Sequence, residues 1–190
     1  MYEPSAVLVT GVQAAGKSTV GRLLAERFEY SAFIEGDDMW RLIVRGRVDM
    51  SPDPDPEAIR QFELRLKHGA MLVDSLVDAG FTAVHADLVF EGFLRQYIAW
   101  VRSRPLRVIV LAPSVHAVVE REKRRGSNAY GDWITAYGGL EGAVREFHRS
   151  LQLTPRVGLW IDSSDQSPEQ TVDEIIARWD EALIPADGLL

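Results

Sequence analysis

Eight residues, Gly11-Val12-Gln13-Ala14-Ala15-Gly16-Lys17-Ser18, fit the pattern G-x-x-x-x-G-K-[ST], with Thr19 next, and follow the apolar run Ala6–Val9 almost directly. Each residue type at its place suits an anionic phosphate chain. The glycines let the backbone curl and turn its N–H groups onto phosphate oxygens, and small Ala14 and Ala15 leave room for them. Lys17 is expected to reach the β- and γ-phosphates, and the Ser18 hydroxyl to ligate Mg²⁺. A helix from Ser18 to about Phe28 would aim its N-terminus at the same anion. The segment Gly11 to Thr19 is therefore expected to cradle a nucleoside triphosphate. No Asn/Thr-Lys-x-Asp guanine signature occurs, so ATP with Mg²⁺ is the expected pair.

Carboxylates follow at two further places. Glu35-Gly36-Asp37-Asp38 closes the run Ala32–Ile34, and Asp87 closes Thr82–Ala86. In an open parallel sheet, ligands sit at the carboxyl ends of strands, so these acids are expected beside the phosphate cradle. There Asp37 could orient and deprotonate an attacking hydroxyl. Asp38, like Asp37, could instead be a turn residue or helix N-cap. Asp87 could hold Mg²⁺ directly or through water alongside Ser18, or simply end its strand in a turn. His85 reads as a core histidine, and four histidines without a pair at ligand spacing give no zinc site.

A third group is the run Glu120-Arg121-Glu122-Lys123-Arg124-Arg125, which precedes the glycine-bounded stretch Gly126 to Asp132. Arginines hinged there would close over ATP and stabilise charge on the transferring phosphoryl group. Arg121 and Arg125 share a helix face, as do Arg121 and Arg124. The stretch from about 121 to 138 reads as a lid.

The elements that must position these residues alternate. Strand-like runs recur at Ala6–Val9, Ala32–Ile34, Thr82–His85, Leu106–Leu111 and Val157–Ile161. Helical period appears between them, from about Glu57 to Ala79, from Phe90 to Val101, and from Ser167-Pro168-Glu169 onward to Leu183. Such alternation predicts an α/β protein with a parallel sheet covered on both faces. The proline-rich segment Asp49 to Pro56 is expected to be a surface loop leading into the long helix.

Bulk properties narrow the function classes. The chain has 190 residues, with 21 Lys plus Arg against 28 Asp plus Glu and a net charge of −7, which disfavours a nucleic-acid partner. No cysteine occurs, which removes disulfides and thiol chemistry. No run is long and apolar enough for a membrane span, and no leader pattern opens the chain, so a cytoplasmic single domain over 1–190 is expected.

With these pieces in place the chain resembles the small P-loop kinases, especially the chloramphenicol phosphotransferase-like group, with shikimate and gluconate kinases as more distant relatives. The resemblance is carried by the phosphate loop, Glu35-Gly36-Asp37 and Ala86-Asp87-Leu88-Val89-Phe90. It implies a P-loop NTPase three-layer sandwich with strand order 2-3-1-4-5 and a lid. It also implies Asp37 as the base on the acceptor hydroxyl, lid arginines within Arg121–Arg125, and an adenine-side loop at Asp162 to Asp165.

The implied activity is transfer of the γ-phosphoryl group of ATP to an alcohol on a small molecule, such as an antibiotic or related natural product. Glu35, Asp37, Asp38, Arg41 and Asp87 are the expected acceptor-side residues. The acceptor region, about 40–67 with Phe90 to Trp100, is read as basic and partly aromatic through Arg41, Arg45, Arg47, Arg60 and Arg65. Two alternatives stand beside this reading. One is a nucleoside monophosphate kinase in which Arg41 grips the acceptor phosphate; the other is a nucleotide-dependent regulatory ATPase.

Overall fold

The computed structural model describes residues 3–185. Five strands form one all-parallel sheet in the order β2-β3-β1-β4-β5: β1 Ala6–Gly11, β2 Ser31–Glu35, β3 Thr82–Ala86, β4 Leu106–Leu111 and β5 Leu159–Ile161. In register, Ala6 lies opposite Ala83 of β3 and Leu106 of β4, and Val9 opposite Ala86 and Ile109. Both β1 and β4 are buried along their whole length. They are apolar without alternation because helices cover both faces of the sheet.

The covering helices are α1 Lys17–Ala25, α2 Gly36–Arg41, α3 Pro56–Asp78, α4 Glu91–Trp100, α5 Val115–Arg125, α6 Asp132–Ala136, α7 Leu140–Leu153 and α8 Pro168–Ala177. α1 packs against α8 on one face, whereas α3, α4 and α7 pack in succession on the other. This is the arrangement that right-handed crossovers produce from the observed strand order.

Local chemistry sets the helix ends. Asp55 accepts a hydrogen bond from the Glu57 N–H at 2.7 Å and Pro56 opens α3, so the proline run ends where a helix can begin. Ser167 and Gln170 form a reciprocal capping box at α8. The final helical stripe was expected to run on to Leu183. Instead α8 stops at Ala177, Trp179–Ala182 makes a 3-10 turn, and Leu183 bridges back to Arg107 of β4. The first helix likewise ends three residues short of Phe28, in tight turns that carry the chain into β2.

Because all strands run the same way, their carboxyl ends lie at one edge. β1 and β3 are adjacent there although their connections leave in opposite directions, which opens a crevice between the loops after them. Among the described residues, no helix is long and apolar enough to cross a membrane.

Candidate active site

The phosphate-loop segment leaves β1 at Gly11, where a Cβ would stand 2.4 Å from the Leu111 carbonyl oxygen of β4. Gly16, with φ of 103°, takes the left-handed turn that starts α1. Lys17 folds back over the loop, its Nζ donating to the Val12 carbonyl at 3.0 Å. Burial pushes the Lys17 ammonium down to about 8, although Asp87 pulls the other way. Ser18 and Thr19 are exposed on the first turn of α1. Burial pushes the Glu35 carboxyl up, and the neighbouring Ser18 hydroxyl opposes that shift. A hydroxyl beside a carboxylate is an oxygen set suited to Mg²⁺, so Ser18 with Glu35 fits the ion.

Asp87, the other expected metal ligand, is enclosed. Its side chain is fully buried; Arg65 Nε donates to one carboxylate oxygen at 2.9 Å and Arg65 Nη2 to the other. The Leu88 N–H also donates to it, at 2.6 Å, and His85 Nε2 stands 3.6 Å away. Burial alone would raise this carboxyl, but the Arg65 guanidinium and His85 outweigh it and hold it well below the usual carboxylate range. Both oxygens are thus spent on Arg65, and Asp87 serves as that guanidinium's anchor rather than as a metal ligand. His85 is a core residue, its Nδ1 paired with the Tyr97 hydroxyl at 2.8 Å.

Arg65 reaches onward to Asp37, with Nη2 3.1 Å from Oδ1. The Asp37 side chain is 62% exposed and therefore accessible to a ligand, while the guanidinium that holds it is 14% exposed. Asp38 points elsewhere: at 2.5 Å it pairs with Arg41 on the protein surface, so neither Asp38 nor Arg41 lines the cavity described below. The two adjacent acids are separated because α2 begins at Gly36 and successive helical residues face about 100° apart.

A cavity of about 790 Å³ opens beside Asp37 and reaches Gln13 of the phosphate loop. Its walls come from α2, the loop before α3, α3 itself, the start of α4, α6 and α7. Trp40, Phe62, Phe93, Trp133 and Phe147 supply aromatic surface, with Phe62 edge-on to Phe93 at 5.1 Å and Trp133 edge-on to Phe147 at 4.8 Å. The expectation of a basic pocket does not hold. Of the five arginines that suggested it, Arg65 alone lines the cavity; Arg41, Arg47 and Arg60 pair with Asp38, Asp49 and Glu57.

On the nucleotide side, Arg121 Nη1 donates to the Ala15 carbonyl at 3.1 Å, and its Nη2 donates to the Ser163 carbonyl. It therefore joins the phosphate loop to the Asp162 to Asp165 loop. Arg124 and Arg125 are exposed, and burial together with the Arg124 charge lowers the Arg121 pKa. The segment expected to form a lid is tied to the cradle: Tyr130 is fully buried and its hydroxyl donates to the Gln13 carbonyl at 3.0 Å. Glu122, also buried, accepts from Ser127 Oγ at 2.6 Å and the Ala129 N–H at 3.2 Å.

Known proteins share this architecture. A gluconokinase from Sinorhizobium meliloti superposes with a TM-score of 0.65 over 93% of this chain and 92% of its own, at 21% identity. The tunicamycin resistance protein of Deinococcus radiodurans does so with a TM-score of 0.59 over 97% of this chain and 99% of its own, at 18% identity. The fold is that of the small P-loop kinases. In sequence, a cytidylate kinase from Chloroflexus aggregans is 32% identical over 124 residues, which are 65% of this chain and 47% of that relative. The chain thus spans about half the length of the curated relative it matches. No protein-family model matches it.

Within this P-loop kinase fold, Gly11 to Thr19, Glu35, Asp37 and Arg121 converge at the carboxyl edge of the sheet, while Asp38, Arg41, Arg124 and Arg125 lie on the surface around it. Sequence reasoning assigns no individual role to two site residues, counting Arg65 only among five arginines of the expected acceptor region and leaving Tyr130 unmarked. Arg65 lies in register with the buried stripe Phe62, Leu66 and Gly69 of α3, an unusual place for an arginine. Tyr130 is hidden in a polar stretch whose composition suggests nothing buried.

Proposed function

We propose that the chain is an ATP-dependent small-molecule kinase that transfers the γ-phosphoryl group to an alcohol, as expected of a chloramphenicol phosphotransferase-like enzyme acting in the cytoplasm on an antibiotic or related natural product. The observation that carries this reading is the position of Asp37, held by Arg65 at the edge of a ligand-sized cavity that reaches the phosphate loop. The likeness of the fold to a gluconokinase and to an antibiotic resistance protein supports it.

On this reading, backbone amides of the loop and Lys17 bind the triphosphate, and Ser18 with Glu35 would hold Mg²⁺, which would supply positive charge to the phosphates. Asp37 accepts the acceptor's hydroxyl proton as the hydroxyl oxygen attacks the γ-phosphorus in line and the bond to the β–γ bridging oxygen breaks, releasing ADP. Arg65 keeps that carboxylate aimed. Arg121 keeps the cradle and the Asp162 to Asp165 loop at a fixed separation.

Asp37→Asn should lower kcat by about 10²- to 10⁴-fold while leaving ATP affinity nearly intact. Single-turnover transfer and nucleotide titration measure the two separately. Unchanged turnover in the variant would dispose of the assignment.

The cytidylate kinase likeness favours a second reading, phosphorylation of a nucleoside monophosphate. Against it, the arginine expected to grip the acceptor phosphate, Arg41, is turned out to Asp38. Phosphoryl transfer to CMP, UMP or AMP at a rate exceeding that for any alcohol would reverse the preference.

A further inference from the structure

The cavity beside Asp37 carries a charge that narrows its occupant. Six carboxylates line it: Asp37, Asp49, Glu63, Glu91, Asp132 and Glu146. Among the described residues, the one cation on its walls is Arg65, and that guanidinium is committed to Asp87 and Asp37. The acids come from five helices and the loop before α3, so the negative field surrounds the space instead of forming one solvated helix face. Asp49 accepts from Trp40 Nε1 at 2.7 Å and has Arg47 Nε at 3.5 Å, and Glu146 has Arg149 at 4.0 Å. Glu63, Glu91 and Asp132 have no cation within ion-pair distance among the described residues.

This charge discriminates among acceptors. A phosphate- or carboxylate-bearing acceptor would place like charge beside these acids, with no uncommitted arginine or lysine on the walls to offset it. A neutral alcohol can donate hydrogen bonds to these carboxylates but brings no positive charge to offset their mutual repulsion. An ammonium group satisfies them. The aromatic walls act in the same direction, because ring faces attract cations and also receive the apolar part of an organic molecule. The volume of about 790 Å³ suits a molecule larger than a simple sugar.

We infer that the acceptor is a hydroxylated organic amine, bound as its cation between the carboxylate and aromatic walls of this cavity, with the hydroxyl to be phosphorylated at Asp37. This rests on the kinase reading and specifies its substrate class. It sets sugar acids, nucleotides and neutral alcohols behind aminated sugars, aminocyclitols and aromatic amino alcohols.

The test offers the full chain, with Mg-ATP, one library of hydroxylated amines in three forms: free amines, N-acetyl amides and N-succinyl acids. CMP and gluconate are included as reference anions. Mass spectrometry reads phosphate gain, and thermal shift of the nucleotide-free chain reads binding. The expected result is transfer to free amines with kcat/KM at least about tenfold above the matched amides, the scale of one charge-assisted hydrogen bond. The same amines should raise the melting temperature more than their amides do.

Glu63→Gln and Glu146→Gln should each lower kcat/KM for the amine about tenfold more than for the matched amide. A merely structural role would lower both together. Equal or better transfer to amides, acids, CMP or gluconate would overturn the amine inference and leave the kinase reading standing. Hydrolysis of ATP without transfer to any class would overturn the kinase reading, and the inference with it.

Discussion

Asp87 and Arg65 show how a buried charge is made tolerable at the scale of single residues. A carboxylate with a fully buried side chain survives there because one guanidinium meets both of its oxygens. The guanidinium in turn holds Asp37 at 3.1 Å, so the catalytic candidate is oriented through a residue that sequence inspection leaves among several surface arginines. Arg65→Met would fill similar volume but leave the Asp87 charge without its partner. Urea unfolding should show a loss of about 3–5 kcal/mol, the scale for breaking a buried pair from one side. A loss below about 1 kcal/mol would mean that Asp87 finds another partner or takes up a proton at little cost. The phosphate-loop residues are legible from their order alone, because a tight anion-binding turn demands glycine, lysine and serine at fixed offsets. Asp37 and Asp38 are not separable that way, since both satisfy the local rules for the start of a helix.

Elements are held together by single polar residues as well as by apolar stripes. Asp74 sits on the buried face of α3 and accepts the Arg102 N–H at 3.0 Å and the Ser103 N–H at 2.9 Å, fastening the connection between α4 and β4. Its burial raises the carboxyl, but hydrogen bonds from Ser103 and Arg102 outweigh this and hold it below the ordinary value. A carboxyl lowered in the folded state adds stability above its unfolded pKa of about 4, and this stability is lost as pH falls through the folded value. Asp74→Asn should therefore cost about 1–3 kcal/mol at neutral pH and much less near pH 3. Denaturant titrations of both proteins at the two pH values check this, and an equal deficit at each would remove the carboxylate from the explanation. The apolar periods of α3 and α4 reveal those helices within about a residue at their ends. The same spacing runs through α7 at Leu140, Ala143, Val144, Phe147 and Leu151, but Gly138-Gly139 ahead of it and the charges within it mask the pattern.

At the scale of the whole molecule, the crevice between β1 and β3 gathers loops from the entire chain. The contact of Tyr130 with Gln13 ties the lid segment to the phosphate loop. Tyr130→Phe would keep the ring in its pocket against Phe147 and remove one hydrogen bond, costing about 1 kcal/mol. Hydrogen exchange should then quicken both in residues 126–131 and in residues 12–16, whereas protection unchanged in either segment would mean that the two do not open together.

The alternation of five strands with covering helices and the phosphate-loop turn were legible from sequence alone, because helical and strand periods, caps and tight turns obey steric and hydrogen-bonding rules that act within a few neighbouring residues. The tertiary structure decided which acid faces the cavity, what Asp87 holds, and that the acceptor region is acidic where its arginines suggested the reverse. Those outcomes depend on polar groups meeting across long separations, 22 residues for Arg65 and Asp87 and 117 for Tyr130 and Gln13. Composition lists a side chain's charge, but packing decides whether that charge is spent on a neighbour or left facing a ligand.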